Sequence, residues 1–233
     1  MAIYQLLLVL FPLIFLFADA QKLPLSYGSA INMIHVPTSY RLKSSEVQWG
    51  RGSGQQSVTA VGNSEEESEL SSLWRIKEPH ESNKIASGIP VLCGDTIRLE
   101  HVQTQKNLHS HPIASPLSGQ HEVSAFGDHG NGDESDNFIV VCTKNTVNGT
   151  LHTMEKFSLL HSGLRGFLIA SKSYRFHDGN CPHCPIVGHV EVAVTNKPSS
   201  TAPTSAYWKA TGGLVFRKGD ADEAPKHVSS DEL

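Results

Sequence analysis

The chain has 233 residues, 39% of them hydrophobic and 18% charged, with a formal net charge of −4. That length bounds it to one large domain or two small ones, and the slightly acidic balance excludes a nucleic-acid surface built on basic patches. Nineteen Gly and twelve Pro are the punctuation of a turn-rich all-β chain.

The first element is an apolar run from Leu6 to Phe17 that closes on Ala18-Asp19-Ala20. The run is too short to span a bilayer, and A-x-A is a cleavage pattern, so residues 1–20 read as a signal peptide removed before Gln21. No Lys or Arg precedes the run, which departs from the usual pattern and leaves an uncleaved anchor as the alternative. No later run is long enough to cross a membrane, so the processed chain is expected to be lumenal or secreted, with no membrane span.

An internal repeat follows. His35, Val36, Thr38, Leu42 and Ser44 recur in order as His101, Val102, Thr104, Leu108 and Ser110, and a weaker copy keeps His161 and Leu168. Gly54, Gly119 and Gly188 then open similar strings, and Trp74, Phe138 and Trp208 close them. Anchors in one order three times over mark a threefold repeat. Ile31-Met33-His35, Ile97-Leu99-His101 and Phe157-Leu159-His161 alternate as strands with one buried face. Each histidine therefore points inward and must satisfy its nitrogens, most simply on the adjacent turn. His35, His101 and His161 read as structural pins rather than metal ligands.

Three histidines crowd the second copy: His109, His111 and His121. His109 and His111 alternate on one strand and could share a metal. The first copy has Lys43 and Ser45 there, so the pair is a weak ligand signal and no metal is expected. The run from Ser64 to Glu69 reads as a solvated acidic loop. GDHGNGDESD offers Asp128, Asp133 and Asp136 but lacks EF-hand spacing. Asn148-Gly149-Thr150 is a glycosylation sequon. Trp49 could be an exposed contact residue or a core one.

The third copy carries Cys181-Pro182-His183-Cys184. Thiol–disulfide exchange there needs a thiolate stabilised at a helix N-terminus, and the following Pro185, Gly188 and valine alternation offer no helix. A local Cys181–Cys184 loop disulfide is the favoured reading, ahead of zinc binding with His177, His183 or His189. Residues 217–233 form a polar tail ending Ser230-Asp231-Glu232-Leu233, close to the receptor-read address that returns proteins to the endoplasmic reticulum (ER). No nucleotide loop or nucleophile–base pair is found, so neither enzyme activity nor a cofactor is expected.

Three copies of this size with short linkers fit a single closed barrel better than three separate domains. The strings RLKSSEVQWGRGSGQQSVTAVGNSEEESELSSLWRI and CGDTIRLEHVQTQKNLHSHPIASPLSGQHEVSAFGDHGNGDESDNFIVVC resemble the stromal cell-derived factor 2 family. The resemblance implies an all-β, pseudo-threefold β-trefoil of three MIR repeats with about twelve strands. The repeats fall at 21–77, 85–143 and 144–211, the last with an insertion near 172–187. LKSS stands in the first repeat where the family commonly has an LHSH-like string.

In a trefoil the first and last strands of a repeat run close together, so a Cys93–Cys142 disulfide is also expected. By family, the chain is expected in the ER lumen with a J-domain co-chaperone, a BiP-type chaperone and unfolded clients, in quality control and the unfolded protein response. Two rival readings stand beside it. One is a carbohydrate-binding trefoil, with glycans as partners, linked to ER glycosylation or O-mannosylation. The other is thiol–disulfide exchange through Cys181 and Cys184.

Overall fold

A computed structural model describes residues 22–62, 69–143 and 146–216. The segment read as a signal peptide, nearly all of the acidic run and the tail read as a retention signal lie outside them. The chain forms β1 (Ala30–His35), β2 (Arg41–Gln48), β3 (Gln56–Val61) and β4 (Leu73–Lys77), then β5 (Thr96–His101), β6 (Asn107–Ala114), β7 (His121–Phe126) and β8 (Phe138–Cys142). A third set of four follows as β9 (Lys156–His161), β10 (Leu168–Arg175), β11 (Val190–Val194) and β12 (Trp208–Leu214).

Every pairing is antiparallel. β1, β4, β5, β8, β9 and β12 pair in sequence around a closed ring, β12 returning to β1. β2–β3, β6–β7 and β10–β11 are hairpins, and their second strands pair with one another in a triangle. This is a β-trefoil of twelve strands, a six-stranded barrel under a cap of three hairpins. Closure leaves the barrel without the unpaired strand edge that invites aggregation.

The strand alternation fills the interior. Ile31, Met33 and His35 point inward from β1, and Ile97, Leu99 and His101 from β5. Trp74, Phe138 and Trp208 are fully buried at corresponding places in the three copies. A buried indole needs an acceptor for its N–H. Trp74 donates to the Leu42 carbonyl at 3.1 Å and Trp208 to the Leu168 carbonyl at 3.0 Å. Phe138 fills the same place with no polar atom to satisfy.

The three histidines make one bond within their own repeat and one to the repeat before. The Nδ1 atoms of His35 and His101 lie 2.8 Å from the hydroxyls of Thr38 and Thr104. In the third copy Nδ1 accepts the Leu164 N–H at 3.0 Å. The Nε2 atoms reach the carbonyls of Ser205, Ser71 and Ser135 at 2.8, 3.0 and 2.9 Å. A carbonyl can only accept, so Nε2 carries the proton and Nδ1 is the acceptor in all three. Each ring also packs on the preceding repeat's closing aromatic, with centroids 4.8 Å apart for His35–Trp208, 5.0 Å for His101–Trp74 and 5.1 Å for His161–Phe138. The adjacent turn thus supplies only half of the bonding expected from sequence. The other half latches consecutive repeats together.

Burial pushes all three imidazoles below the usual histidine range, partly opposed by the Ser205, Ser71 and Ser135 carbonyls. The unfolded chain then binds protons that the native state refuses once pH falls below the ordinary value of about 6.5. The latch contribution is fully present above that pH and is lost as pH falls toward the native values. Each histidine should add up to about 1.4 kcal/mol per pH unit to the slope of stability in that window. Urea midpoints measured from pH 7.5 to pH 5 should fall below about pH 6.5, and His35→Gln should flatten the fall. A wild-type curve that stays level would contradict neutral latches.

Candidate functional site

Two histidines of β6, His109 and His111, are engaged with buried carboxylates. On β6, His109 Nδ1 lies 2.9 Å from Asp136 Oδ1 and 3.6 Å from Asp133 Oδ1. His111 Nε2 lies 3.2 Å from Oε1 of Glu122, a fully buried side chain on β7 that also accepts a hydrogen bond from Ser53 Oγ. Glu122 Oε2 is buried with no partner. His121, at the start of β7, is held below the usual histidine range by burial and by the neighbouring His111. Of the three aspartates noted in GDHGNGDESD, Asp133 and Asp136 come together at His109, while Asp128 stays exposed.

A groove of about 850 Å³ lies where the first repeat's hairpin meets the second repeat. Glu46, Gln48, Gln55 and Gln56 line one side, the turn from Gln103 to Lys106 the floor, and Phe126 to His129 the other side. Several of these side chains are held in place. Gln56 Nε2 donates to Ser44 Oγ at 2.8 Å and to Thr104 Oγ1 at 2.9 Å. Gln55 Oε1 accepts Ser124 Oγ at 2.5 Å, and Lys106 Nζ donates to the Gly127 carbonyl at 2.7 Å. Gln48, Gln103 and Gln105 are exposed to solvent.

The two corresponding junctions are bridged by side chains. Between the second and third repeats, Asn196 N–H donates to Gln120 Oε1 at 2.8 Å. Between the third and first, Lys172 Nζ sits over the Tyr40 ring, 5.2 Å from its centroid. Primary amides carry both donors and acceptors. A row of them matches the alternating N–H and C=O groups of an extended peptide, and also the hydroxyls of a sugar.

The third-repeat insertion closes over the first hairpin. Trp49 is buried with Phe176 and Ile186, and Cys181 and Cys184, joined as a disulfide, pack against this cluster. The Trp49 indole donates to the Val123 carbonyl at 2.9 Å. Trp49 is therefore a core residue of a satellite cluster and not an exposed contact, because the insertion covers it. Among the described residues, no helix begins at Cys181 or Cys184, so nothing in the loop supplies the dipole that thiolate catalysis uses.

Cys93 and Cys142 are bonded, with their Cα atoms 5.5 Å apart at the facing ends of β5 and β8. Asn148 is exposed in a turn at φ +52°. Ser230–Leu233 lies outside the described residues. The amide groove and the His109–carboxylate cluster join segments far apart in the chain. The sequence signals for them were the glutamines around Gln55 and Gln105, the alternating His109 and His111, and the acidic string after Gly127.

Comparison with known proteins fits this architecture. The MIR domain family matches residues 48–158. A stromal cell-derived factor 2-like protein of Dictyostelium discoideum is 37% identical over 218 residues, covering 91% of this chain and 95% of its own. Human stromal cell-derived factor 2 is 36% identical, with 86% of each chain covered. The crystal structure of the SDF2-like protein from Arabidopsis thaliana superposes with a TM-score of 0.72 at 31% identity, over 84% of this chain and 98% of that one.

Proposed function

The chain belongs to the stromal cell-derived factor 2 family, and from that premise we propose that it is a non-enzymatic subunit of a J-domain co-chaperone and BiP-type complex in the ER lumen. In this reading it holds unfolded clients during quality control. Two disulfides support an oxidising compartment, as do the apolar run from Leu6 to Phe17 and the Ser230-Asp231-Glu232-Leu233 string. Asn148 is then a usable glycosylation site, exposed on a turn. No helix among the described residues is long and apolar enough to cross a membrane.

The observation that carries the client-holding part is the open, amide-lined groove. Unfolded segments share their backbone whatever their side chains. Amides that bond peptide groups therefore bind many clients weakly, and binding the unfolded state competes with aggregation by mass action. The same donors and acceptors beside Phe126 favour a carbohydrate as the second reading.

Affinity capture from ER lumen, with fluorescence anisotropy of a labelled unfolded peptide, tests both readings. The wild type should recover a J-domain co-chaperone and a BiP-type chaperone. Gln48→Ala/Gln103→Ala/Gln105→Ala should keep the wild-type Tm, because all three positions are exposed, and should bind the peptide at least roughly tenfold more weakly, about 0.5–1.5 kcal/mol per lost bond. Endoglycosidase should remove one glycan from the wild type and none from Asn148→Gln. Unchanged peptide binding by the triple variant would remove the groove from the mechanism. A mannose-type ligand on a glycan array that the triple variant abolishes would replace the client reading with the carbohydrate one.

A further inference from the structure

We propose that residues 177–187 form a redox-sensitive cover. The Cys181–Cys184 disulfide holds this segment over Trp49, and its reduction by a protein dithiol of the thioredoxin-fold class uncovers an apolar surface beside the amide groove. The pair is then a substrate of thiol–disulfide exchange, not its catalyst.

The cover is fastened at few points. Phe176 at its entry and Ile186 near its exit are buried with Trp49, and the half-buried Cys181 and Cys184 pack against the same cluster. Residues 177–180, Pro182, His183, Pro185 and Val187 are exposed. Among the described residues, the hydrogen bonds of 177–187 run only to partners within 175–189. The Cys181 N–H donates to the His177 carbonyl at 2.8 Å, and Asn180 Nδ2 donates to the Arg175 carbonyl at 2.9 Å. Docking on the first hairpin thus rests on apolar contact, which forms only while the segment keeps its shape.

The disulfide sets that shape. His183, between the two cysteines, sits at φ +54°, a conformation that non-glycine residues seldom adopt. Once the bond is broken, His183 can return to ordinary backbone angles, and the segment regains freedom that docking must then remove. In the step itself, a thiolate of the dithiol bonds to one sulfur of the pair and expels the other as a thiolate. The dithiol's second thiol, its proton given to solvent, then displaces the first cysteine from the mixed disulfide. Both cysteine thiolates take protons from water, so two electrons pass to the pair and the dithiol ends as a disulfide.

The pair is reachable. A cleft of about 470 Å³ follows the seam between the cover and the hairpin tips, lined by Trp49, Pro116, Leu117, Phe176 and both cysteines. Gln48 lines this cleft as well as the amide groove, so the uncovered cluster adjoins the groove. Apolar surface beside backbone-binding amides suits the apolar segments of unfolded chains. That consequence rests on the client-holding reading; the cover itself does not. Cys93–Cys142, with a sequence separation of 49 against 3, restricts the unfolded chain more. The bond that stabilises the fold more is the harder to reduce within it, so Cys181–Cys184 opens first.

Reduced thioredoxin is the probe, with acrylamide quenching of tryptophan fluorescence read before cysteine alkylation and mass mapping. No peptide is present, so failure here is separate from failure of the client reading. Cys181 and Cys184 should be alkylated while Cys93–Cys142 stays intact. Trp74 and Trp208 are fully buried, so quenchable fluorescence should rise from near zero to about one third, the share of one tryptophan in three. Trp49→Phe should show no rise, and Cys181→Ser/Cys184→Ser should be quenchable before any reductant is added. Resistance of the pair to thioredoxin, or its reduction with Trp49 still shielded, would overturn the cover. So would earlier reduction of Cys93–Cys142, or a shielded Trp49 in the serine variant. A rise that persists in Trp49→Phe would mean that the barrel itself opens, and would overturn it equally.

Discussion

Trp74→Ala should lower the free energy of unfolding by about 3–5 kcal/mol, the largest effect expected of a single substitution. Trp74 is fully buried in the barrel, so truncation loses the transfer free energy of the indole and opens a cavity between strands that ring closure holds in place. It also removes the indole N–H that the Leu42 carbonyl accepts, and strips the packing surface from the His101 ring. Trp74→Phe separates these effects. Phe138 shows that a phenyl ring can occupy this place in a repeat, so the milder variant loses mainly the hydrogen bond and some volume, about 1–2 kcal/mol. Urea unfolding followed by fluorescence measures both, since Trp49 and Trp208 remain as probes. A loss below about 1 kcal/mol for Trp74→Ala would mean that the barrel collapses around the gap, contrary to close packing.

Cys93→Ser/Cys142→Ser should cost about 4 kcal/mol, since the bond closes a loop with a sequence separation of 49 and restricts the unfolded chain accordingly. Both cysteines are only partly buried, so the substitution leaves no large cavity. The native strands stay adjacent without the bond, since the Cys93 N–H still donates to the Gly149 carbonyl at 2.7 Å and the Gly94 N–H to the Val140 carbonyl at 2.8 Å. The change should therefore act mainly through the unfolded state, raising the unfolding rate less than it lowers the folding rate. Cys181→Ser/Cys184→Ser, with a sequence separation of 3, should cost about half as much or less. Paired denaturation curves under non-reducing conditions measure the difference. Equal losses from the two pairs would reject the loop-length account.

The sequence by itself determined the repeat, the strand faces and the closed form. His35, His101 and His161 each sit two residues beyond an inward-facing apolar residue, and a period of two assigns a face without reference to any other element. Trp74, Phe138 and Trp208 recur 19 or 20 residues after a turn glycine, and a repeat too small to bury its own face must close on its neighbours.

Which groups meet, within a repeat and across repeats, came only with the tertiary structure. The Nε2 partners of the latch histidines are backbone carbonyls, which every residue has and which therefore leave no mark in a sequence. Trp49 is covered by an insertion more than a hundred residues later, and hairpin periodicity says nothing of what folds over it. His109 and Asp136 are a histidine on a strand and an acid in a loop until the loop after β7 turns back across β6. Local periodicity is set by backbone geometry within a few residues, whereas these meetings are set by how loops, hairpins and the closed ring fold back on one another, which no local pattern records.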